Sequence, residues 1–452
     1  MTKSIFKEYD IRGRYPKEID KSTAYELGRA FVVMTNAKKV AIGRDRRPES
    51  KLLMPEFIRG VNDEGCDVYQ MGIASTPAVS FAVGHFKLDG GVIITASHNP
   101  KGWAGFKMMA ENGVPIGMKT GLKTIINLMS RGVNSVKKKS GTVRSLSYLH
   151  SYYQFVRGFI DLDMIKGFKV ALDVSGGSGD GLVDYVFNRL SLKDYKINFR
   201  SGDQYPDHGP NPLLLKNQQV IKNVIIKRRA DLGVIWDGDA DRAVFIDEQG
   251  TFVHPYYINC LLGKVLSEKK SDLAMVVDAR MPVGISEVIK KYGGKPIVSR
   301  SGTANIIDLM NRNKYLFGCE NSGHYFFNFK LADGRNNNHI FSGTIIPVLL
   351  ILEYLKINDL KMSEAVSEFS NSYHISGEKN FKIDNFEKLK KKILNKYNGF
   401  KTKQIDGLSV YGDGWFFNVR SSHTEPLIRL NVEAISRNNM LKIKKDLLTL
   451  IK

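Results

Sequence analysis

The stretch DLGVIWDGDADRAVFID (231–247) decides the fold. LGVIW and AVFID are short, apolar and rich in β-branched residues, the pattern of two buried strands. Between them, DGDADR (237–242) sets Asp237, Asp239 and Asp241 at i, i+2 and i+4, so an extended or gently turning loop presents three carboxylates on one side. Three such charges repel unless a cation joins them, and hard oxygen ligands in that number favour Mg²⁺, one ion per chain. An EF-hand loop would need glycine at its sixth position, where Arg242 stands, and helices where these strands lie.

Working outward, the same order of apolar strand, small or polar loop and helical stretch recurs. It is found in KKVAIGRDRRPES (38–50), GGVIITASHNP (90–100), FKVALDVSGGSGDGLVDYVFNRL (168–190), DLAMVVDARMPVGISEVIKKYGG (272–294) and YLFGCENSGHYFF (315–327). Strands alternating with helices predict α/β layers. Three similar mixed α/β domains are expected over 1–140, 141–247 and 248–368, with a smaller α+β domain over 369–452. The glycine loop SGGSGDG (175–181) fails G-x-G-x-x-G and reads as a strand–helix turn. ADGRNNNHIFSG (332–343) reads as a polar loop ahead of a helix.

The 452 residues carry a net charge of +21. That excess raises nucleic-acid binding first, but no basic tail or stripe interleaved with stacking aromatics is present. The lysine-rich IDNFEKLKKKILNKYNGF (383–400) fits an amphipathic helix with a solvated face. Small anionic substrates suit the charge as well as nucleic acid does, and no nucleic-acid partner is expected. The most apolar run, TIIPVLLILEYL (344–355), is too short to span a bilayer, so no membrane partner is expected. The charged opening MTKSIFKEYDIRGRYPKEID (1–20) and three scattered cysteines, Cys66, Cys260 and Cys319, predict a cytoplasmic protein with reduced thiols.

Three further loops could carry chemistry. In TASHNP (95–100), Ser97 follows an all-apolar strand, at the strand end where α/β proteins form sites. Its hydroxyl is either a nucleophile or a turn-former, and His98 either a base or a phosphate partner. In GCENSGH (318–324), Glu320, Ser322 and His324 alternate, which aligns them in an extended segment; reading sugar hydroxyls and capping a turn are both open to them. In NVRSSHTEPLIR (418–429), Arg420, Ser421, Ser422 and Thr424 join a guanidinium to hydroxyls, a cradle for a phosphate dianion, with Arg429 approaching from the next strand.

In this order and one per domain, the four loops resemble those of the α-D-phosphohexomutases, the group of phosphomannomutases, phosphoglucomutases and phosphoglucosamine mutases. The resemblance covers essentially the whole chain and implies a four-domain, heart-shaped molecule with its site in a central cleft. It implies that Ser97 is phosphorylated and, with the three aspartates, completes the Mg²⁺ site. FKEYDIRG (6–13) is similar to the family's N-terminal motif, which puts Arg12 and Tyr9 near the phosphoserine. Lys107 matches a lysine that assists proton transfer, and Arg242 ends the metal loop. Glu320, Ser322 and His324 would meet sugar hydroxyls, and Arg420, Ser422, Thr424 and Arg429 the non-reacting phosphate.

The reaction implied passes a phosphoryl group between Ser97 and a hexose phosphate, through a hexose 1,6-bisphosphate that serves as intermediate and activator. The C-terminal motif looks most like bacterial phosphomannomutases or dual phosphomannomutase/phosphoglucomutases, so mannose phosphate is expected first, glucose or dual use next and glucosamine phosphate last. A catalytically silent sugar-phosphate-binding homologue is the reading from another class. A monomer or weak homodimer is expected. Departures from the pattern are Thr303 where relatives often carry histidine, Trp103 and Ala104 in KGWAGFK, His423 where asparagine is frequent, and Phe341 where an acid is common.

Overall fold

The computed structural model describes residues 5–133, 139–199, 208–333, 338–382, 385–421 and 427–451. Four sheets follow one another along the chain. In the first, Gly90–Ile94 is central, buried at every residue, parallel to Lys39–Arg44 and antiparallel to Trp103–Ala110, which pairs in turn with Ile11–Arg14. Asp67–Ile73 and Val143–Ser145 extend the sheet on the other side. Burial on both faces is why Gly90–Ile94 reads as a continuous apolar run, whereas Val143–Ser145 at the edge is exposed.

The second sheet runs Phe252–Val253, Ala243–Asp247, Leu232–Trp236, Lys169–Asp173, Lys193–Ile197. LGVIW and AVFID pair antiparallel, Trp236 opposite Ala243, so the carboxylate loop is the tip of a hairpin. The third sheet runs Lys295–Ser299, Ala274–Asp278, Phe317–Cys319, Tyr325–Asn328, Ile340–Ser342. Its last strand corrects the reading of 332–343 as a polar loop. Ile340 and Phe341 are fully buried, and Phe341 packs against Phe155 and Phe329, so this position belongs to the core. Residues 334–337 lie outside the described residues.

The fourth sheet is antiparallel, with Ile428–Ala434 flanked by Trp415–Ser421 on one side and by His374–Ile375 and Lys379–Phe381 on the other. The lysine-rich helix forms as Phe386–Lys396, capped by Asn385, and buries Leu389 and Ile393 beside Leu447 of the helix Arg437–Ile451. One apolar core runs continuously from Ala41 to Phe369 through the first three units, whereas the fourth has a core of its own. Among the described residues no helix is long and apolar enough to cross a membrane, and the three cysteines are free and buried.

Candidate active site

Four chain segments converge because the functional loops leave the same ends of their sheets. Thr95 follows Gly90–Ile94, Asp237 follows Leu232–Trp236, and Glu320 follows Phe317–Cys319, each at a strand's C-terminal end. Arg420 and Arg429 stand directly opposite each other at the mouth of the last hairpin. Together these ends enclose a cleft of about 610 Å³ lined from all four units, by Tyr9 and Arg12, by Lys107, Asp241 and Arg242, by Glu320, Ser322 and His324, and by Arg420 and Arg429.

Ser97 lies beneath the lining of that cleft, 1 % exposed, in a left-handed conformation (φ 51°). A β-carbon is disfavoured there, so the surroundings must hold it. They do so from below: Arg47, itself buried, donates to the carbonyls of Ser97 (2.8 Å), Asn99 (2.6 Å) and Pro100 (2.9 Å). Asp45 accepts from Arg47 Nε and from Thr95 Oγ1, and Thr95 Oγ1 accepts from the Ser97 amide at 2.9 Å. The hydroxyl so placed donates to Asp237 Oδ2 at 3.3 Å and lies 3.2 Å from His98 Nδ1. Burial, then the cations Arg242, Arg12 and Lys107, push the His98 imidazole down to about 2, so it stays neutral.

The three aspartates are buried, and their oxygens lie within 4.8 Å of one another. Burial and then Asp241 and Asp239 raise the Asp237 carboxyl to about 8. Asp241 is held well below the usual carboxylate range: burial alone would raise it, but Lys107 and His324 outweigh burial. Lys107 Nζ bridges Asp239 and Asp241, and Thr76 Oγ1 donates to Asp239 at 2.5 Å. Asp239 Oδ1 is buried with no hydrogen-bond partner among the described residues. A buried anionic oxygen without a donor, beside two further carboxylates, is the donor set a hard divalent cation satisfies, and Mg²⁺ fits it.

The glycine loop does more than turn the chain. A β-carbon on Gly177 would lie 2.3 Å from the Gly238 carbonyl, and Ser178 N donates to that carbonyl at 3.0 Å. The aspartate loop is thus propped from within its own unit.

On the facing wall, Glu320 Oε2 and His324 Nδ1 are 2.9 Å apart, with the Ser322 hydroxyl 2.9 Å from the same ring nitrogen. His324 Nε2 reaches Asp241 at 3.4 Å. Burial would lower the imidazole, but Asp241 and Glu320 outweigh it and raise it to about 9. Burial opposes the carboxylate of Glu320, yet His324 and Arg280 bring it down to about 2. Tyr9 crosses from the first unit to meet Asn305 of the third at 3.2 Å, and Arg12 donates to Asn99 at 2.6 Å in the serine loop. Thr303 lines the cleft; Trp103 does not, and opens the strand that pairs with Ile11–Arg14. Ser422, His423 and Thr424 lie outside the described residues.

Sequence reasoning passed over Arg47 and Asp45, although GRDRRP follows a strand, and over Arg280 in DARMP, which follows another. Strand-end position was the available sign for both. Glu378, which lines the cleft beside Arg420 and Arg429, carried none.

Family comparisons agree with this architecture. Residues 3–134, 147–250 and 254–373 match the phosphoglucomutase/phosphomannomutase alpha/beta/alpha domains I, II and III, and residues 377–450 match the C-terminal domain of the same family. The chain is 31% identical to a phosphomannomutase of Escherichia coli over 462 aligned residues, covering 99% of each. It is 32% identical to phosphohexose mutases of Xanthomonas campestris, over 96% of this chain and 95% of the relative. In fold it is similar to a phosphoglucomutase/phosphomannomutase family protein from Burkholderia thailandensis, with a TM-score of 0.88 at 23% identity over 100% of this chain and 98% of that one. Four α/β-containing domains around one carboxylate-bearing cleft define a phosphohexomutase, and the chain belongs to the phosphoglucomutase/phosphomannomutase family. It is an enzyme of sugar-phosphate isomerisation acting through a bisphosphate intermediate.

Proposed function

We propose that the enzyme is a phosphomannomutase that interconverts mannose 1-phosphate and mannose 6-phosphate, with Ser97 as the phosphoryl carrier. One observation carries the reading: the Ser97 hydroxyl donates to Asp237 beneath a cleft whose walls hold the cations Arg12, Lys107, Arg420 and Arg429 and the polar side chains of Glu320 and Ser322. The relatives from Escherichia coli and Vibrio cholerae that bear the name phosphomannomutase support it, at 31% and 32% identity.

Asp237, Asp239 and Asp241 would hold Mg²⁺, which when bound supplies Lewis-acid stabilisation of charge on the transferring phosphoryl oxygens. Arg12 and Lys107 add fixed positive charge beside Ser97. Burial would lower the Lys107 ammonium, but Asp239 and Asp241 hold it above its ordinary value, so it stays charged. A sugar hydroxyl attacks the phosphoryl group on Ser97, forming the bisphosphate and freeing the serine hydroxyl. The bisphosphate turns over and Ser97 Oγ attacks its other phosphate, the serine hydroxyl proton passing to the sugar oxygen that leaves, with neutral His98 3.2 Å from Oγ. Arg420, Arg429, Ser422 and Thr424 would hold whichever phosphate is not reacting. Glu320 and Ser322 would meet O3 and O4, which sit between C1 and C6 and serve both orientations.

Dual use of mannose and glucose phosphates is the second reading, favoured by the 32% identity to proteins named phosphohexose mutases. Turnover measured side by side on mannose, glucose and glucosamine 1-phosphates decides the matter. A kcat/KM for mannose 1-phosphate below that for either other sugar would overturn the proposal.

A further inference from the structure

Arg420 and Arg429 are cross-strand neighbours in the last sheet, a like-charged pairing that costs stability unless an anion lies between. Arg280 of the third unit points a third guanidinium at the same place. The anion is Glu378 of the fourth unit, between the strands His374–Ile375 and Lys379–Phe381. Its Oε1 accepts from Arg429 Nη1 at 3.0 Å, and its Oε2 lies 3.6 Å from Arg420 Nη2 and 3.7 Å from Arg280 Nη1. All four residues line the cleft.

The geometry is that of a loosely held ion cluster. A dedicated arginine–carboxylate pair is commonly bidentate, with N···O near 2.7–2.9 Å. Here Oε2 is buried and makes no hydrogen bond among the described residues, although two guanidinium groups face it. Burial alone would raise this carboxyl, but Arg280, Arg429 and Arg420 together bring it below its usual range. It is therefore an anion in front of the arginines that a sugar phosphate would use.

We propose that Glu378 is a resident competitor for the phosphate cradle, whose carboxylate yields Arg280, Arg420 and Arg429 to the sugar's non-reacting phosphate and takes them back when that phosphate leaves. The inference rests on the reading of Arg420 and Arg429 as the cradle. Its value to the reaction follows from the turnover of the bisphosphate. The intermediate must release one phosphate from the cradle and present the other; Arg280 is also held by Asp278 and Arg420 faces Asp406 at 3.8 Å, but without Glu378 the three clustered guanidinium groups would still oppose release. A carboxylate ready to re-pair with them lowers that barrier at the expense of binding strength.

The test measures binding of inorganic phosphate and mannose 6-phosphate to the Mg²⁺-loaded enzyme, with steady-state kinetics, for wild type, Glu378→Gln and Arg420→Ala. Losing a competing charge-assisted contact should tighten phosphate binding about tenfold. Glu378→Gln should lower KM by a similar factor and lower kcat with it, because the intermediate leaves the cradle more slowly. Unchanged or weaker binding in Glu378→Gln, with Arg420→Ala still losing phosphate, would mean that Glu378 only orients the arginines, and the inference falls. Full phosphate binding in Arg420→Ala would remove the cradle reading and this inference together. If Glu378→Gln does not fold, Glu378→Asp takes its place: its withdrawn carboxylate no longer spans three guanidinium groups. Binding tighter than wild type supports the proposal, and equal or weaker binding overturns it.

Discussion

Ser97 Oγ donates to Asp237 Oδ2 across 3.3 Å, although 140 residues separate them in the chain. The contact joins a strand-end loop of the first unit to a hairpin tip of the second, so Ser97 and the three aspartates form one site only when the two sheets dock. Substituting Ser97 with alanine removes a 1 %-exposed hydroxyl and little volume. Turnover should be abolished or severely reduced, with an unchanged circular dichroism spectrum. Active wild-type enzyme should carry one phosphate by intact-protein mass spectrometry, lost in Ser97→Ala; fully active protein without it would exclude the carrier role.

Asp239→Asn removes a charged oxygen from the donor set while keeping its shape. Magnesium affinity, read by calorimetry, should weaken, since a hard cation loses an anionic ligand. Chelator-treated wild type should lose activity and regain it on Mg²⁺ addition. Full activity after chelation would rule out this use of the loop.

The clamp under the serine loop is a buried charge pair, Arg47 with Asp45. Arg47→Met strands the Asp45 carboxylate and frees the carbonyls of Ser97, Asn99, Pro100 and Trp103, a loss of about 3–5 kcal/mol for a broken buried pair. The lowest thermal transition should fall by several degrees and phosphorylation of Ser97 should decline with it. A variant of wild-type stability and full phosphorylation would show that the loop holds its left-handed serine unaided.

A pH-dependent contribution to stability comes from the buried Glu433. Burial raises its carboxyl to about 7, against hydrogen bonds from Tyr256 Oη and the amides of Gly284 and Val283, while Glu287 adds a like charge. The folded value exceeds the ordinary 4.5, so the folded state binds more protons between about 4.5 and 7. Its contribution is complete below about 4.5 and is lost as pH rises through about 7. Relative to Glu433→Gln, wild type should therefore lose up to ~3 kcal/mol across that window. Thermal unfolding of both proteins at pH 5 and pH 8 checks it; a constant gap would mean that three donors keep the carboxylate ionised throughout.

Glucose and mannose differ only at C2, so Glu320 touching O3 and O4 should not tell them apart. Glu320→Gln is expected to lower kcat/KM on both 1-phosphates by a similar factor, roughly 10- to 150-fold for a lost charged hydrogen bond of about 1.5–3 kcal/mol. A change in the ratio of the two beyond about tenfold would show that Glu320 senses C2.

The sequence by itself determined the layers and the chemistry that is local in the chain. Paired apolar runs demand buried strands, and three aspartates at alternate positions place their carboxylates together whatever surrounds them. The lysine-rich helix was legible for the same reason, since a 3.6-residue period is a local property. What those groups face depends on packing between distant segments. Arg47 meets the Ser97 loop across neighbouring strands of one sheet, Lys107 reaches Asp239 and Asp241 across two docked sheets, and Glu378 meets Arg420 and Arg429 within the fourth unit and Arg280 from the third; no spacing in the chain encodes them. Phe341 shows the same limit from the other side. Following the polar run DGRNNNH, it read with Ile340 as part of a loop, yet an edge strand and the aromatic cluster of Phe155 and Phe329 draw it into the core. Burial of an isolated aromatic depends on the surface waiting for it, and that surface is assembled from distant parts of the chain.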